Sequence, residues 1–141
     1  MKHLIFTTLF ALSTIMLSAQ VKEIIQYDDV AQLKTHLEKN KIDDCLMISG
    51  DNYSLLILAI KYETMQVFNH LLENKADLDH ICADKSPLMY AVKYNRIEMF
   101  KTLVKSGADL EVKSKIKKRT VLDYIEKYER HDIAKYIEAV K

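Results

Sequence analysis

Glycine and proline are nearly missing: two Gly and one Pro in 141 residues. That is about 2% of the chain, where an average protein carries roughly 12%. The shortage excludes collagen-like, Gly/Ser-linker and turn-rich all-β architectures. A dominant charge is missing too. Twenty-one Lys and Arg face 20 Asp and Glu, which gives no global reason to bind nucleic acid or anionic lipid. Two cysteines are too few for a disulfide-stapled scaffold, so a hydrophobic core must hold the fold. The material for one is present. Hydrophobic residues make up 49% and charged residues 29%, which excludes disorder. The length suits a single domain.

The first nineteen residues stand apart. Met1-Lys2-His3 is a short basic start, and Leu4 to Leu17 is an apolar run interrupted only by Thr and Ser. Ser18-Ala19 then offers small residues ahead of Gln20. This order of basic, apolar and small segments predicts a cleavable signal peptide over residues 1–19. The run is about 14 residues, short of the roughly 20 that span a bilayer as a helix. An uncleaved anchor is the other reading. Cleavage leaves residues 20–141 and removes one charged residue, Lys2. An exported chain is expected in the periplasm or outside the cell, with no membrane insertion after cleavage. Export leaves Cys45 and Cys82 open to pairing or to standing as free thiols.

The remainder repeats itself. Ser54-Leu55-Leu56-Ile57-Leu58-Ala59-Ile60-Lys61-Tyr62 aligns with Ser86-Pro87-Leu88-Met89-Tyr90-Ala91-Val92-Lys93-Tyr94 at an offset of 32. Thr120-Val121-Leu122-Asp123-Tyr124-Ile125-Glu126-Lys127-Tyr128 follows 34 residues later. Leu71-Leu72-Glu73-Asn74-Lys75-Ala76-Asp77-Leu78 matches Leu103-Val104-Lys105-Ser106-Gly107-Ala108-Asp109-Leu110, again at 32. A partial earlier copy places Tyr27 under Tyr62 and Leu37-Glu38 under Leu72-Glu73.

Each unit reads as two helices. The first starts at Ser54, Ser86 or Thr120, whose hydroxyl can accept from an early backbone N–H. Pro87 then falls at the first helical position, where its missing N–H costs nothing. The second helix carries Met65, Phe68, Leu71-Leu72 or Met99, Phe100, Leu103-Val104 on one apolar face. It is expected to end at Asn40, Lys75 and Gly107, with some strain at Lys75 if that residue turns left-handed. The first helix of the series is expected over about 21–27, and the last, a polar C-terminal cap, over about 130–140.

At this point the chain resembles the ankyrin repeat family. Ser86-Pro87-Leu88-Met89-Tyr90-Ala91 is similar to that family's Thr-Pro-Leu-His-x-Ala signature, with Met for His. Leu103-Val104-Lys105-Ser106-Gly107-Ala108-Asp109 is similar to its Leu-Leu-x-x-Gly-Ala-Asp pattern. The resemblance implies an all-α solenoid of helix-turn-helix units, in which stacking buries faces that no single unit can hide. Four repeats are expected, over 21–49, 50–82, 83–115 and 116–141. Where the family often places Gly between the helices, this chain has Glu63, Asn95 and Glu129. A left-handed Glu costs about 1–2 kcal/mol, so the turns of repeats two and four are expected to differ.

The resemblance also implies a non-catalytic protein-binding module. In that family the end of the first helix and the preceding loop tip line a concave groove. Lys61-Tyr62, Lys93-Tyr94 and Lys127-Tyr128 occupy that place here, with Tyr27 in the first repeat. Tyr suits an interface because it is large, rigid and polar at one end. It also suits packing between neighbouring repeats, and both readings stand. The loop tips add Asp51, Tyr53, Lys85, Lys117 and Arg119 to the expected contact surface. Charge along the tips runs from Asp43, Asp44 and Asp51, through Asp77, Asp79 and Asp84, to the basic run Lys113–Arg119. That gradient fits either solvated loops or a partner of opposite polarity, including weak head-to-tail self-association of an otherwise monomeric chain. Residues 113–119 contain no aromatic to stack on bases, which argues against nucleic acid.

Catalysis finds no motif: no G-x-S-x-G elbow, no Walker loop, no H-E-x-x-H. No cofactor is expected. A metal site made from Cys45, His80 and Cys82 lacks an evident fourth ligand and the usual short paired spacing. The expected role is to grip another protein of the cell envelope. The alternative, by analogy of fold alone, is an immunity-type inhibitor of a periplasmic toxin or enzyme.

Overall fold

The computed structural model describes residues 2–141, with side chains from Phe10 onward. Its elements run α1 (Lys2–Gln26), α2 (Val30–Leu37), β1 (Leu46–Ile48), β2 (Asp51–Tyr53), α3 (Leu55–Tyr62), α4 (Met65–Glu73), α5 (Pro87–Lys93), α6 (Ile97–Lys105), α7 (Val121–Lys127) and α8 (His131–Val140). Consecutive helices pair as α1–α2, α3–α4, α5–α6 and α7–α8. First helices stack in the order α1, α3, α5, α7, and second helices flank them, α2 on α4 and α6 on α8.

The helix starts follow local chemistry. Ser54, Ser86 and Thr120 accept from the N–H of Ile57, Met89 and Asp123, each three residues on. Thr120 completes a capping box, because Asp123 Oδ2 accepts from the Thr120 N–H at 2.7 Å. Pro87 opens α5.

Burial separates the two layers. Leu55 to Ile60 of α3 and Pro87 to Val92 of α5 are buried at every position. A helix hidden all round must have neighbours on all sides, and these two sit between other first helices with the second layer behind. At the ends of the stack only part of each first helix is covered: Val21, Ile24 and Ile25 of α1, and Val121, Tyr124 and Ile125 of α7. Second helices bury one stripe each, Val67, Phe68 and Leu71 in α4 and Met99, Phe100 and Leu103 in α6. Val67, not Met65, completes the stripe of α4; Met65 is exposed.

Helix α1 runs without a break through the expected cleavage point. Phe10, Leu12, Ile15 and Met16 are 60–72% exposed, and the core begins at Val21. The start expected near residue 21 is therefore not a helix end here. Met1, and the side chains of residues 2–9, belong to the expected signal peptide and lie outside the described residues.

Further expectations are corrected. The turns between paired helices do not differ among repeats: Asp28, Glu63, Asn95 and Glu129 are all left-handed, with φ of 53–59°. In every case the following N–H returns to a carbonyl five residues back, as Thr64 to Ala59, Arg96 to Ala91 and Arg130 to Ile125. This is a Schellman closure. Its two backbone bonds offset the strain of a side chain at a position that favours Gly. Lys75 and Gly107 close α4 and α6 the same way. Asn40 does not; its side-chain amide donates to His36 O at 2.9 Å instead. Second, residues 46–53 form an antiparallel hairpin within the helical fold, with Leu46 opposite Tyr53. Ser49 and Gly50 both have positive φ, the requirement of a two-residue type I′ turn.

Candidate functional site

The ends of the first helices and the tips before them form one strip along the stack. Tyr62, Tyr94 and Tyr128 are half-buried against the core. Tyr94 stacks on Tyr90 with ring centres 6.1 Å apart, and Tyr128 on Tyr124 at 6.2 Å. These are pairs four residues apart on one helix face. Tyr62 has Leu58 in the equivalent place. The lysines sit over the rings: Lys93 Nζ is 5.2 Å from the Tyr94 centroid and Lys127 Nζ 5.1 Å from that of Tyr128, within cation–π range. Tyr27, by contrast, is 81% exposed and stands away from the core.

Tyr53 is not a free tip residue. It is buried in the core, with its hydroxyl engaged at the surface. Lys61 Nζ donates to that hydroxyl at 3.1 Å, and the hydroxyl donates to Asp51 Oδ2 at 3.3 Å. Burial pulls the Lys61 ammonium down in pKa, but the Tyr53 hydrogen bond and the phenols of Tyr53, Tyr94 and Tyr62 together outweigh it and hold the group above its ordinary value. The Tyr53 ring lies 6.0 Å from Tyr90, so Asp51, Tyr53, Lys61, Tyr90 and Tyr94 form one patch. Lys85 continues it, with Nζ 6.0 Å from the Tyr90 ring, 5.7 Å from the Tyr124 ring and 3.2 Å from Asp84. Burial raises the phenols of Tyr90 and Tyr94 above the usual tyrosine range, so both remain neutral donors at physiological pH. Lys117 is exposed. Arg119 lines a shallow depression with Asp123, Glu126 and Lys127.

Tyr90 and Tyr124 are the members that sequence reasoning missed. Both lie inside the repeated first-helix runs, four residues before a tyrosine already singled out. That spacing was the available signal.

Most of the acidic loop residues are already engaged. Asp43 Oδ1 accepts from the Asp77 N–H, and Asp79 Oδ1 from the Asp109 N–H, both at 2.9 Å. Asp84 Oδ1 accepts from the Ile116 N–H at 2.7 Å. Each joins one loop to the next, so these carboxylates hold the loops in register. Burial pushes the Asp79 carboxyl up; the Asp109 N–H pulls it back down, and the charges of Asp109 and Asp77 push it up further. For Asp84, burial raises the carboxyl, but the Ile116 N–H and Lys85 outweigh it and leave it below the ordinary value. Cys45 and Cys82 form a disulfide between the first two inter-repeat loops, with Cα atoms 5.4 Å apart.

A family model described as ankyrin repeats (3 copies) matches residues 15–114 and 56–137. The chain belongs to the ankyrin repeat family. Ankyrin repeats are generally protein–protein interaction modules, and the Tyr–Lys strip lies on a scaffold of that kind. A search of the curated proteins finds no match to this ankyrin chain. No helix among the described residues is long and apolar enough to cross a membrane.

Proposed function

We propose that this ankyrin protein is exported to the cell envelope and grips a partner protein through the strip of first-helix ends. The observation that carries the reading is the repeated Lys–Tyr pair at 61–62, 93–94 and 127–128. Each tyrosine is anchored by packing yet half-exposed, with a lysine beside it. Half-buried aromatics with a polar rim are the usual composition of a binding centre. The first helices α3, α5 and α7 have 7–8 residues and the second helices α4, α6 and α8 have 9–10. Unequal layers in these three repeats favour curvature toward the shorter one, which supports a concave strip. Export is supported by the order of residues 1–19 and by the exposure of apolar residues 10–16 on a helix whose core contacts begin at Val21.

The test is capture of the partner from the envelope fraction by tagged residues 20–141. The double variant Lys93→Glu/Lys127→Glu, which replaces no buried residue, is expected to reduce capture at least tenfold with unchanged helical circular dichroism. Tyr62→Ala should act in the same direction. Wild-type capture by both variants would sink the assignment of this strip.

A further inference from the structure

The disulfide has a third partner. His80 Nε2 lies 3.3 Å from Cys45 Sγ, and the donor atoms of Cys45, His80 and Cys82 all fall within 4.8 Å of one another. Cys45 is exposed and the other two are half-buried, so reagents in solution reach the group. On the far side of the imidazole, Nδ1 is 4.0 Å from Asp77 Oδ2. The loop carrying Asp77 is braced: its N–H donates to Asp43 Oδ1, and its Oδ1 accepts from the Asp79 N–H, both at 2.9 Å. At 4.0 Å the carboxylate is beyond hydrogen-bond reach of Nδ1, and a small ring rotation on metal binding would bring the two into the carboxylate–histidine arrangement common behind metal-binding histidines.

We propose that opening this disulfide creates a zinc site, with Cys45, Cys82 and His80 as ligands and water in the fourth place. Tetrahedral zinc, with Zn–S of about 2.3 Å and Zn–N of about 2.0–2.1 Å, spaces its ligand atoms about 3.5–3.8 Å apart. The Cys45 to His80 spacing is already near that value. The two sulfurs must part to about 3.8 Å, which side-chain rotation provides. The lack of a fourth protein ligand is what an open, exchangeable zinc position requires. The short paired spacing that sequence reasoning looked for is unnecessary, because stacking of the repeats brings residues 45 and 80–82 together.

The chemistry balances with a dithiol reductant. Its thiolate attacks the Cys45–Cys82 bond, and exchange converts the disulfide to two thiols while the reductant becomes a disulfide. Zinc then binds both sulfurs as thiolates and releases two protons. The clasp between the two loops thus has two forms, a covalent bond without metal and a metal bridge without the bond. Zinc in place masks the thiolates and opposes reoxidation. The inference rests on the side-chain cluster and does not depend on the partner or on export.

The experiment uses the full chain, oxidised or reduced with a phosphine, and titrates Zn²⁺ against a chromophoric chelator. One zinc per reduced chain and none per oxidised chain is expected, with a sulfur-to-metal charge-transfer band when Co²⁺ substitutes. His80→Ala should weaken reduced-state binding at least tenfold, and Asp77→Asn about tenfold. Cys45→Ser/Cys82→Ser should bind no better than the oxidised chain. Circular dichroism followed in parallel shows whether the reduced chain stays helical. If it does not, zinc is expected to restore the signal in the parent and not in His80→Ala. Zinc uptake by the reduced parent equal to that of the serine double variant, or indifference to His80→Ala, overturns the site.

Discussion

The junction between the first two repeats and the two junctions that follow solve one problem with opposite charges. Between repeats two and three, Arg96 reaches back to Ile60 O at 3.3 Å, Lys61 O at 3.2 Å and Glu63 at 2.6 Å. Between repeats three and four, Arg130 does the same to Val92 O at 2.9 Å and Lys93 O at 3.0 Å. A cation thus closes the C-terminal end of α3 and of α5, where carbonyls lack helical partners and the dipole is negative. At the first junction Thr64 occupies the place of Arg96, and no arginine is available. Asp28 reaches forward instead and accepts from the N–H of Gln66 at 3.1 Å and of Val67 at 2.7 Å, at the positive start of α4. Either end of a helix can anchor the neighbouring repeat, provided the charge complements the dipole.

The largest expected effect is at Arg96. Arg96→Ala leaves the Lys61 carbonyl and Glu63 without their partner, takes one of two donors from Ile60 O, and should cost about 2–4 kcal/mol in urea denaturation. Arg130→Ala lacks the carboxylate contact and should cost less. Equal losses would show that the Glu63 pair adds nothing. Asp28→Ala should cost about 1–2 kcal/mol, the loss of a helix cap together with the strain of Ala at φ 54°. A loss below 0.3 kcal/mol, judged against the roughly 0.5 kcal/mol lower limit for caps, would mean the first junction is held by its apolar contacts and disulfide alone.

The left-handed glutamates sharpen the contrast. Glu129→Gly should stabilise by about 0.5–1 kcal/mol, since it relieves a side chain at φ 53° with no ion pair to lose. Glu63→Gly should gain less, because Arg96 then loses its carboxylate. A larger gain at Glu63 than at Glu129 would reverse this reading. The smallest effect is on pH dependence. Asp84 has a depressed folded pKa, so its contribution is present above the unfolded value near 3.8 and is lost as pH falls through the folded value. Asp79 is raised, so its charged form opposes folding at neutral pH, and protonation relieves it as pH falls through the raised value. Melting of Asp79→Asn should therefore exceed the parent at pH 7 and converge with it in acid. Asp84→Asn should fall below the parent at pH 7 and converge with it only as pH falls through the depressed folded value of Asp84.

The helices were legible because their signals are local. Ser54, Ser86 and Thr120 cap where their hydroxyls predict, and the apolar stripes repeat at helical spacing. The two junction arginines were legible in principle, 34 residues apart in register, but nothing local reveals that a guanidinium reaches carbonyls more than thirty residues earlier. The loop carboxylates were misleading for the same reason: Asp43, Asp79 and Asp84 look solvated in sequence and are bonded to the next loop in space. Of the expected contact residues, the strip unites Asp51, Tyr53, Lys61, Tyr94 and Lys85. It buries Tyr53, because the hairpin at 46–53 folds that ring inward.

Sequence alone determined the period, the helix starts and the apolar face of the second helices, since each depends on residues within a few turns of one another. Tertiary structure decided which charge anchors each repeat, that Glu63 and Glu129 remain left-handed, and that Cys45, His80 and Cys82 converge. Those outcomes depend on distances across stacked loops, which are set by the thickness of a repeat and not by neighbours in the chain.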